Sequence, residues 1–512
     1  MEQKLLSSFK EDIRLFEEKI HAFEAGEIDK KAYKGFSGGF GSYSQRTTGN
    51  MLRLRLAGGC IDHDKLKFIA DMVEEYQVDR LKLTTCQTVQ FHNLDSKATV
   101  EIMEKAIDHG IITRGGGGDF PRNVMVSPLA GVEKNEVFDV RPWANATAEY
   151  LLGRVTSLKM PRKLKVAYSS TPENVTHATF RDLGFIAQAD GTFRVCCAGG
   201  LGPNPKIGVC VAENAAAEDV LHYVDAMIRV FTTHGNYENR AKARTRYLQE
   251  TLGAEGLKEE FNKALQESFA AEDLKIHPAA ISCTKEGEGT ISDKRVIEQK
   301  QSGLYAVCYH PLGANLSPAK PRELYELLKD MPCTELRIGP DGTLYIVNLT
   351  AKEAQAVLDA TNDGAQTLFE TSVSCIGATI CQQGVRDSQG LLAAMFEAVR
   401  KENFADGVLP KVHISGCPSS CGTHQVGALG FVGGVKMIDK VAHPAFTLMV
   451  GGQDAQGEEA FGAVAGAMLE KDIPAFMVAL GKEISAANST YAEWFPAHKA
   501  EFDAIAANFI VK

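Results

Sequence analysis

Nowhere in the 512 residues is there a run approaching the roughly 18 consecutive apolar positions that a membrane-spanning helix needs, which argues against a helical membrane protein. The first residues, Met1-Glu-Gln-Lys-Leu-Leu-Ser-Ser-Phe-Lys10, carry no apolar run ahead of a small-residue cleavage site, so the expected location is the cytoplasm. Positive charge is not in excess either. A net charge of −10 excludes general nucleic-acid binding as an expectation, and any anion site must be a local gathering of cations. No trustworthy glycine-rich nucleotide fingerprint sits between a strand and a helix; Gly115-Gly-Gly-Gly118 and Gly199-Gly-Leu-Gly202 read as plain turns or as loops beside a ligand.

What is present is an ordinary globular composition, 44% hydrophobic and 23% charged, in a chain long enough to split into several domains. The 12 cysteines lie in a compartment expected to be reducing, where clustered thiols hold metal or do chemistry more often than they form disulfides. Four of them stand out. They are set as Cys375-x5-Cys381 and Gly416-Cys417-Pro-Ser-Ser-Cys421-Gly422, in turns of small residues. Four thiolates suit a [4Fe–4S] cluster, and glycine-rich flanks let backbone N–H groups approach the cluster sulfurs. Four buried free cysteines are the plain alternative. Tetrahedral zinc is another, although Cys-x2–4-Cys spacing fits only the second pair.

Shifting the chain by 255 positions exposes a duplication. Gly58 falls on Gly313, Leu81 on Leu336, Leu83 on Ile338, Val89 on Leu344, Phe91 on Ile346 and Asn93 on Asn348, without a gap. Each copy reads as strand, glycine turn, helix and two alternating strands. A looser echo relates Gly184-Phe-Ile-Ala and Phe193–Gly200 to Gly430-Phe-Val-Gly and Phe446–Gly452, so each half is a small unit followed by a larger α/β one. The predicted domains are 1–40, an amphipathic helical arm broken by the glycines of Gly35–Gly41; 41–110 and 285–364, the small repeats; and 111–284 and 365–512, the larger units.

The copies differ in charge. Arg53 and Arg55 align with Cys308 and His310, and Gln90 and His92 with Tyr345 and Val347. In Leu52-Arg-Leu-Arg-Leu56, strand alternation sends the leucines to one face and Arg53 and Arg55 to the other. Arg162-Lys-Leu-Lys-Val166 does the same with Lys163 and Lys165, and Arg122 adds another cation. Solvated strand faces would explain any one pair. Together with the thiols in the other half, they point to one shared site in which cations from the first half face thiolates from the second.

From Gly41 to Asp454 the chain resembles the sirohaem-containing sulfite/nitrite reductases. The resemblance rests on the cysteine arrangement combined with Leu-Arg-Leu-Arg-Leu, Arg122-Asn-Val-Met and Met160-Pro-Arg-Lys-Leu-Lys165. It implies an α+β, internally duplicated fold, with two ferredoxin-like half-domains and two larger sirohaem reductase domains related by a pseudo-two-fold axis. It implies a [4Fe–4S] cluster on Cys375, Cys381, Cys417 and Cys421, with the Cys421 sulfur shared with sirohaem iron. Arg53, Arg122, Lys163 and Lys165 are then the substrate cations, and Arg55, Lys82, Thr88, Gln90 and Arg162 help to hold the sirohaem carboxylates. One departure is Cys86, which stands where the family has an arginine opposite a sirohaem carboxylate.

The implied activity is six-electron reduction of a small oxyanion. Lys-x-Lys at 163 and 165 resembles the members that prefer sulfite, and a second cation suits a dianion, so sulfite to sulfide is the expectation and nitrite to ammonia the alternative. Electrons come from a separate protein, a ferredoxin, a flavodoxin or a flavoprotein, to a monomer or small oligomer. Arg240, Lys242, Arg244 and Arg246 fall in one predicted helical stretch that either docks an acidic donor or lies beside the cofactor. Readings from other classes are a non-haem iron–sulfur electron carrier and a zinc-stabilised binding protein.

Overall fold

The computed structural model describes residues 3–511 and contains four five-stranded sheets. Two of them are the small repeats. The first sheet runs in the order Ser42–Ser44, Asn50–Leu54, Val89–Leu94, Leu81–Leu83 and Asn315–Leu316; the second runs Val296–Glu298, Tyr305–Tyr309, Leu344–Leu349, Glu335–Ile338 and Cys60–Ile61. All neighbours are antiparallel. The last strand of each sheet therefore comes from the other copy. Lys82 pairs with Asn315 in one exchange and Arg337 with Cys60 in the other. This exchange fuses the two repeats around one continuous apolar core, in which Leu52, Phe91, Ile102, Leu336, Ile346 and Val357 are all buried.

Helices cover the outer faces, and their starts follow the sequence. Asp62 and Asp95 cap His63–Glu75 and Ser96–Asp108 by accepting backbone N–H bonds, and Thr350 with Glu353 forms a reciprocal capping box on Ala351–Ala360. The N-terminal arm is a helix, Gln3–Glu24, that buries Phe9, Ile13, Phe16 and Ile20 against the same core. It stops earlier than the glycines at 35–41 suggest. Gly26 turns the chain at φ +75°, and Gly35 lies inside a second helix, Lys30–Ser37, capped by Asp29. Among the described residues no helix is long and apolar enough to cross a membrane.

The two larger sheets share one topology. Met125–Val126, Val166–Ser169 and Leu183–Ala187 are parallel, followed by antiparallel Phe193–Cys197 and Val209–Ala215. Val373–Ser374, Val412–Ser415 and Leu429–Ile438 are likewise parallel, followed by antiparallel Val441–Val450 and Ala463–Leu469. A displacement of 246 residues superposes even their strained positions. A Cβ on Gly184 would stand 1.8 Å from the carbonyl oxygen of Ala178, and one on Gly430 would stand 1.8 Å from that of His424. Only glycine lets the preceding loop fold down onto the strand there. Within those loops Asn174 and His177 have φ of +51° and +60°, matched by +54° at both Ser420 and Thr423.

Gln87 joins the fused repeats to the first large sheet. Its amide donates to the carbonyls of Val126 at 2.7 Å and Ile338 at 2.8 Å and accepts from the Val126 N–H at 2.9 Å, all away from water. Gln87→Ala would leave buried backbone groups unpaired, a cost of about 2–4 kcal/mol. Urea unfolding is expected to show a correspondingly lower midpoint for this variant; an unchanged midpoint would contradict the bridging role.

Candidate active site

A cavity of about 760 Å³ lies where the fused repeats meet both large sheets, and every site residue singled out from the sequence lines it. The cations come from the first half, as expected. In the strand Asn50–Leu54, Leu52 and Leu54 point into the core and Arg53 into the cavity, with Leu56 and Arg55 continuing the alternation. Regular strand begins only at Val166, yet Leu164 is buried on a bridge to Pro121, so Lys163 and Lys165 still face the cavity.

The glycine loop is a clamp. Gly116 O accepts from Arg53 Nη1 at 2.5 Å and Arg122 Nη1 at 2.9 Å, and Gly118 O accepts from Arg122 Nη2 at 2.8 Å. Gln90, its amide oriented to satisfy both groups, accepts from Arg53 Nη2 at 2.6 Å. Arg55 donates to the carbonyls of Arg114 and Arg122, at 2.6 and 3.3 Å. Burial holds Arg55 and Arg122 down to about 10. Lys82 donates to Gly313 O and is brought down to about 7 by burial. Thr88 Oγ1 bonds Thr84 Oγ1 at 2.6 Å, and Arg162 pairs with Asp119 at 3.0 Å. Lys163 has neither a hydrogen bond nor an ion pair with a described residue. Burial, reinforced by Arg244, Lys165 and Arg122, holds its proton affinity well below that of an ordinary lysine.

The thiols come from the second half. Cys375 Sγ accepts from the Gly416 N–H at 3.2 Å, the kind of amide contact expected at a cluster ligand. Arg46 N donates to Ile380 O at 2.9 Å, its Nη2 to Gly384 O at 2.8 Å, and Gln382 Nε2 to Ser44 O at 2.6 Å, so the loop carrying Cys381 is tied to the first half. Thr85 Oγ1 likewise donates to Cys421 O at 3.0 Å. Burial pushes the Cys421 thiol up to about 12, and negative charge on Cys375, Cys417 or Cys381 pushes in the same direction, while Lys163 opposes. The four thiols thus sense one another and the nearest cation. Among the described residues no three His, Cys, Asp or Glu groups converge closely enough to hold a single metal ion, so the thiols are spread around a wall.

Several lining residues escaped the sequence reading. Arg181, Arg240 and Arg244 reach the cavity, as do Asp182, Asp341 and Tyr43. Asp182 is buried, pairs with Arg244 at 2.9 Å and accepts from the Lys165 N–H at 2.8 Å. Arg240–Lys242 and Thr245–Tyr247 are separate single turns, which corrects the single helical stretch. Arg240 pairs with Asp119 at 2.5 Å and Arg246 donates to Pro203 O at 2.7 Å, so this segment lies beside the cavity and is not a free basic face.

Cys86 has the most informative contact. Its Sγ lies 3.2 Å from Lys165 Nζ. At the position related by 255 residues stands Asp341, whose carboxylate meets Lys411 at 2.6 Å, and Lys411 is the counterpart of Lys165 by the 246-residue shift. Cys86 thus occupies an anion's place. Burial alone would raise its pKa, but Lys165, Arg181 and Arg53 overcome that and bring it down to about 6.

The wall carries twelve Lys and Arg side chains against three Asp, and buried polar atoms with no partner, Arg122 Nε, Arg244 Nε, His92 Nε2 and Ser420 Oγ, belong to residues on or beside it. A cation surplus of this kind fits a ligand bearing many carboxylates, and the thiol wall fits an iron–sulfur cluster. Sirohaem with a [4Fe–4S] cluster meets both requirements.

Alkylation of Cys86 by iodoacetamide in cofactor-free protein should follow its thiolate fraction, reaching full rate above pH 6 and declining below it. Removing the cation in Lys165→Met should move the midpoint upward; an ordinary thiol midpoint near 9 in the parent protein would contradict the pairing.

Comparison with known proteins agrees with this construction. The nitrite/sulfite reductase ferredoxin-like half-domain model matches residues 43–108 and 297–363, the two small repeats. The nitrite and sulphite reductase 4Fe-4S domain model matches 117–269, the first of the two large units. The cluster cysteines lie in the second, which has the same strand order. The ferredoxin–nitrite reductase of Synechococcus elongatus is 27% identical, with 81% of this chain and 83% of that protein covered. The chloroplastic ferredoxin–nitrite reductase of Betula pendula is 26% identical over 75% of this chain and 67% of its own length. The assimilatory ferredoxin-dependent nitrite reductase of Haloferax mediterranei is 25% identical, covering 81% and 76%. In fold, the chain matches the Mycobacterium tuberculosis NirA protein with a TM-score of 0.73 over 90% of each chain, at 23% identity. The duplicated half-domains, the paired large sheets and these matches together place the chain in the nitrite and sulfite reductase family, as an oxidoreductase whose cofactors are sirohaem and a [4Fe–4S] cluster.

Proposed function

We propose that this chain catalyses the six-electron reduction of nitrite to ammonia, with a ferredoxin as donor. The carrying observation is the single cavity in which Arg53, Arg122 and Lys163 share a wall with the four thiols. The names of the relatives, ferredoxin–nitrite reductases, support the choice of anion and of donor.

Cys375, Cys381, Cys417 and Cys421 hold the cluster in this reading, with the Cys421 sulfur also reaching the sirohaem iron. Arg55, Lys82, Thr88, Gln90 and Arg162 form the part of the wall that meets the sirohaem carboxylates. When bound, the two cofactors supply electrons one at a time to an anion at the iron. The chain's own part is positioning and proton supply. Arg53 and Arg122 are fixed by the Gly116 and Gly118 carbonyls before substrate arrives, so stabilising negative charge on the anion's oxygens requires little rearrangement. Lys163, unpartnered and reluctant to hold its proton, is the donor to an oxygen that must leave as water.

The anion's charge decides between nitrite and sulfite. Lys165 is matched by Cys86, which leaves fewer free cations than the Lys-x-Lys pattern suggests, and a monoanion suits that balance. Sulfite is the second reading, favoured because Lys163 and Lys165 both line the cavity.

Assays of the holoenzyme with reduced methyl viologen on both anions should give the higher kcat/KM with nitrite. Cys86→Ala frees Lys165 and should shift the ratio toward sulfite by about tenfold, close to 1.4 kcal/mol. A parent enzyme that prefers sulfite, or an unmoved ratio in the variant, would contradict the charge argument. Lys163→Met should lower kcat on either anion by on the order of a hundredfold, and an undiminished kcat would remove its role as proton donor.

A further inference from the structure

A second cavity, of about 680 Å³, lies against the first and shares Asp341, Val373 and Thr423 with it. The 246-residue shift identifies it as the first cavity's twin. Thr171 and Val175 stand where Cys417 and Cys421 stand, and Leu368 stands where Arg122 does, so its walls have lost the thiols and this cation. It retains a hydrogen-bonded line of titratable groups. His177, the counterpart of Thr423, is buried. Its Nε2 lies 3.1 Å from Asp454 Oδ2 and its Nδ1 lies 3.3 Å from Arg181 Nη2. Asp454 and His177 line the second cavity, whereas Arg181 lines the first. The Asp454 side chain is 38% exposed and that of His177 only 6%, so the line runs from solvent inward.

Building on the reduction proposed above, we propose that Asp454, His177 and Arg181 form a proton route from the second cavity to the Cys86–Lys165 pair in the first. Replacing nitrite's oxygens by hydrogen consumes protons faster than a closed, cation-lined pocket can store them. In one passage a proton moves from water to the Asp454 carboxylate and on to His177 Nε2. His177 gives its Nδ1 proton to Arg181, and Arg181 gives one of its own to the Cys86 thiolate. The Cys86 thiol, through Lys165, passes a proton to the substrate oxygen and returns to thiolate. Each transfer breaks one bond to hydrogen and makes another, and nothing is oxidised.

The surroundings support the direction. His177 is faced by Asp454, Arg181, Lys165 and His413; burial and the cations keep its ring from holding a proton, while the Asp454 hydrogen bond favours one. Burial likewise weakens the hold of Arg181 on its proton. The remaining Arg181 bond runs from Nε to Thr176 O at 2.8 Å, so Nη1 is not spent on either contact. The other charged pair in the second cavity, Asp341 and Lys411, is closed on itself at 2.6 Å.

The test uses the holoenzyme with reduced methyl viologen and nitrite. His177 has φ +60°, which glycine adopts freely, and it borders a cavity large enough for a free imidazole. His177→Gly is expected to lose on the order of a hundredfold in kcat with little change in KM, to show a larger solvent deuterium isotope effect, and to regain activity on added imidazole. Asp454→Asn, half-exposed and nearly isosteric, should lower kcat as well. In its cofactor-free form, histidine C2-hydrogen exchange read by mass spectrometry should show His177 titrating at lower pH than in the parent. Unchanged kcat in both variants, a His177→Gly loss that imidazole leaves untouched, or an unmoved His177 titration would each overturn the route. A parent holoenzyme that reduces neither anion overturns the underlying reaction instead.

Discussion

Buried positive charge without matching negative charge is the constraint on which this structure turns. Twelve Lys and Arg side chains line one cavity with three Asp, and stripping that many cations of water is costly unless an anion replaces the water. The fold meets part of the demand internally. Asp182 holds Arg244, Asp119 holds Arg162 and Arg240, and backbone carbonyls of Gly116 and Gly118 hold Arg53 and Arg122. The surplus is a binding site for a polycarboxylate macrocycle, and the unpartnered Lys163 marks where a small anion completes the balance.

Duplication explains how such a surplus arises without wrecking the fold. Stability comes from features that both copies keep: the exchanged edge strands, the shared apolar core, and the glycines at 184 and 430 that let each loop fold onto its sheet. Chemistry comes from features that only one copy keeps. The cluster loop has Cys417 and Cys421 where its twin has Thr171 and Val175, and the cationic strand has Arg53 and Arg55 where its twin has Cys308 and His310. The two cavities are therefore alike in shape and opposite in content.

Much of this was legible in the sequence because it rests on local periodicity. Alternation in Leu52–Leu56 and Arg162–Val166 was enough to aim four cations, and the ungapped 255-residue repeat was enough to announce two equivalent small units. The cysteine spacing and its glycine flanks carried the cluster. What stayed hidden depends on contacts between distant segments. The strand exchange pairs Cys60 with Arg337 and Lys82 with Asn315, and no short-range pattern marks it. Arg181 and Asp182 sit between a turn and a strand with no alternation to aim them. The stretch from Arg240 to Tyr247 looked helical from its charge spacing but breaks into two turns because its arginines reach inward to Asp119 and Asp182. Cys86, visible as a departure, acquired a meaning only once Lys165 was found beside it and Asp341 with Lys411 at the twin position.

The most direct measurement is a cofactor analysis of purified protein, quantifying extracted tetrapyrrole and acid-labile sulfide per chain. One sirohaem accompanied by the sulfide of a single [4Fe–4S] cluster is the predicted result. Sulfide without tetrapyrrole, or neither, would contradict a cavity whose thiol and cation walls serve one joined centre.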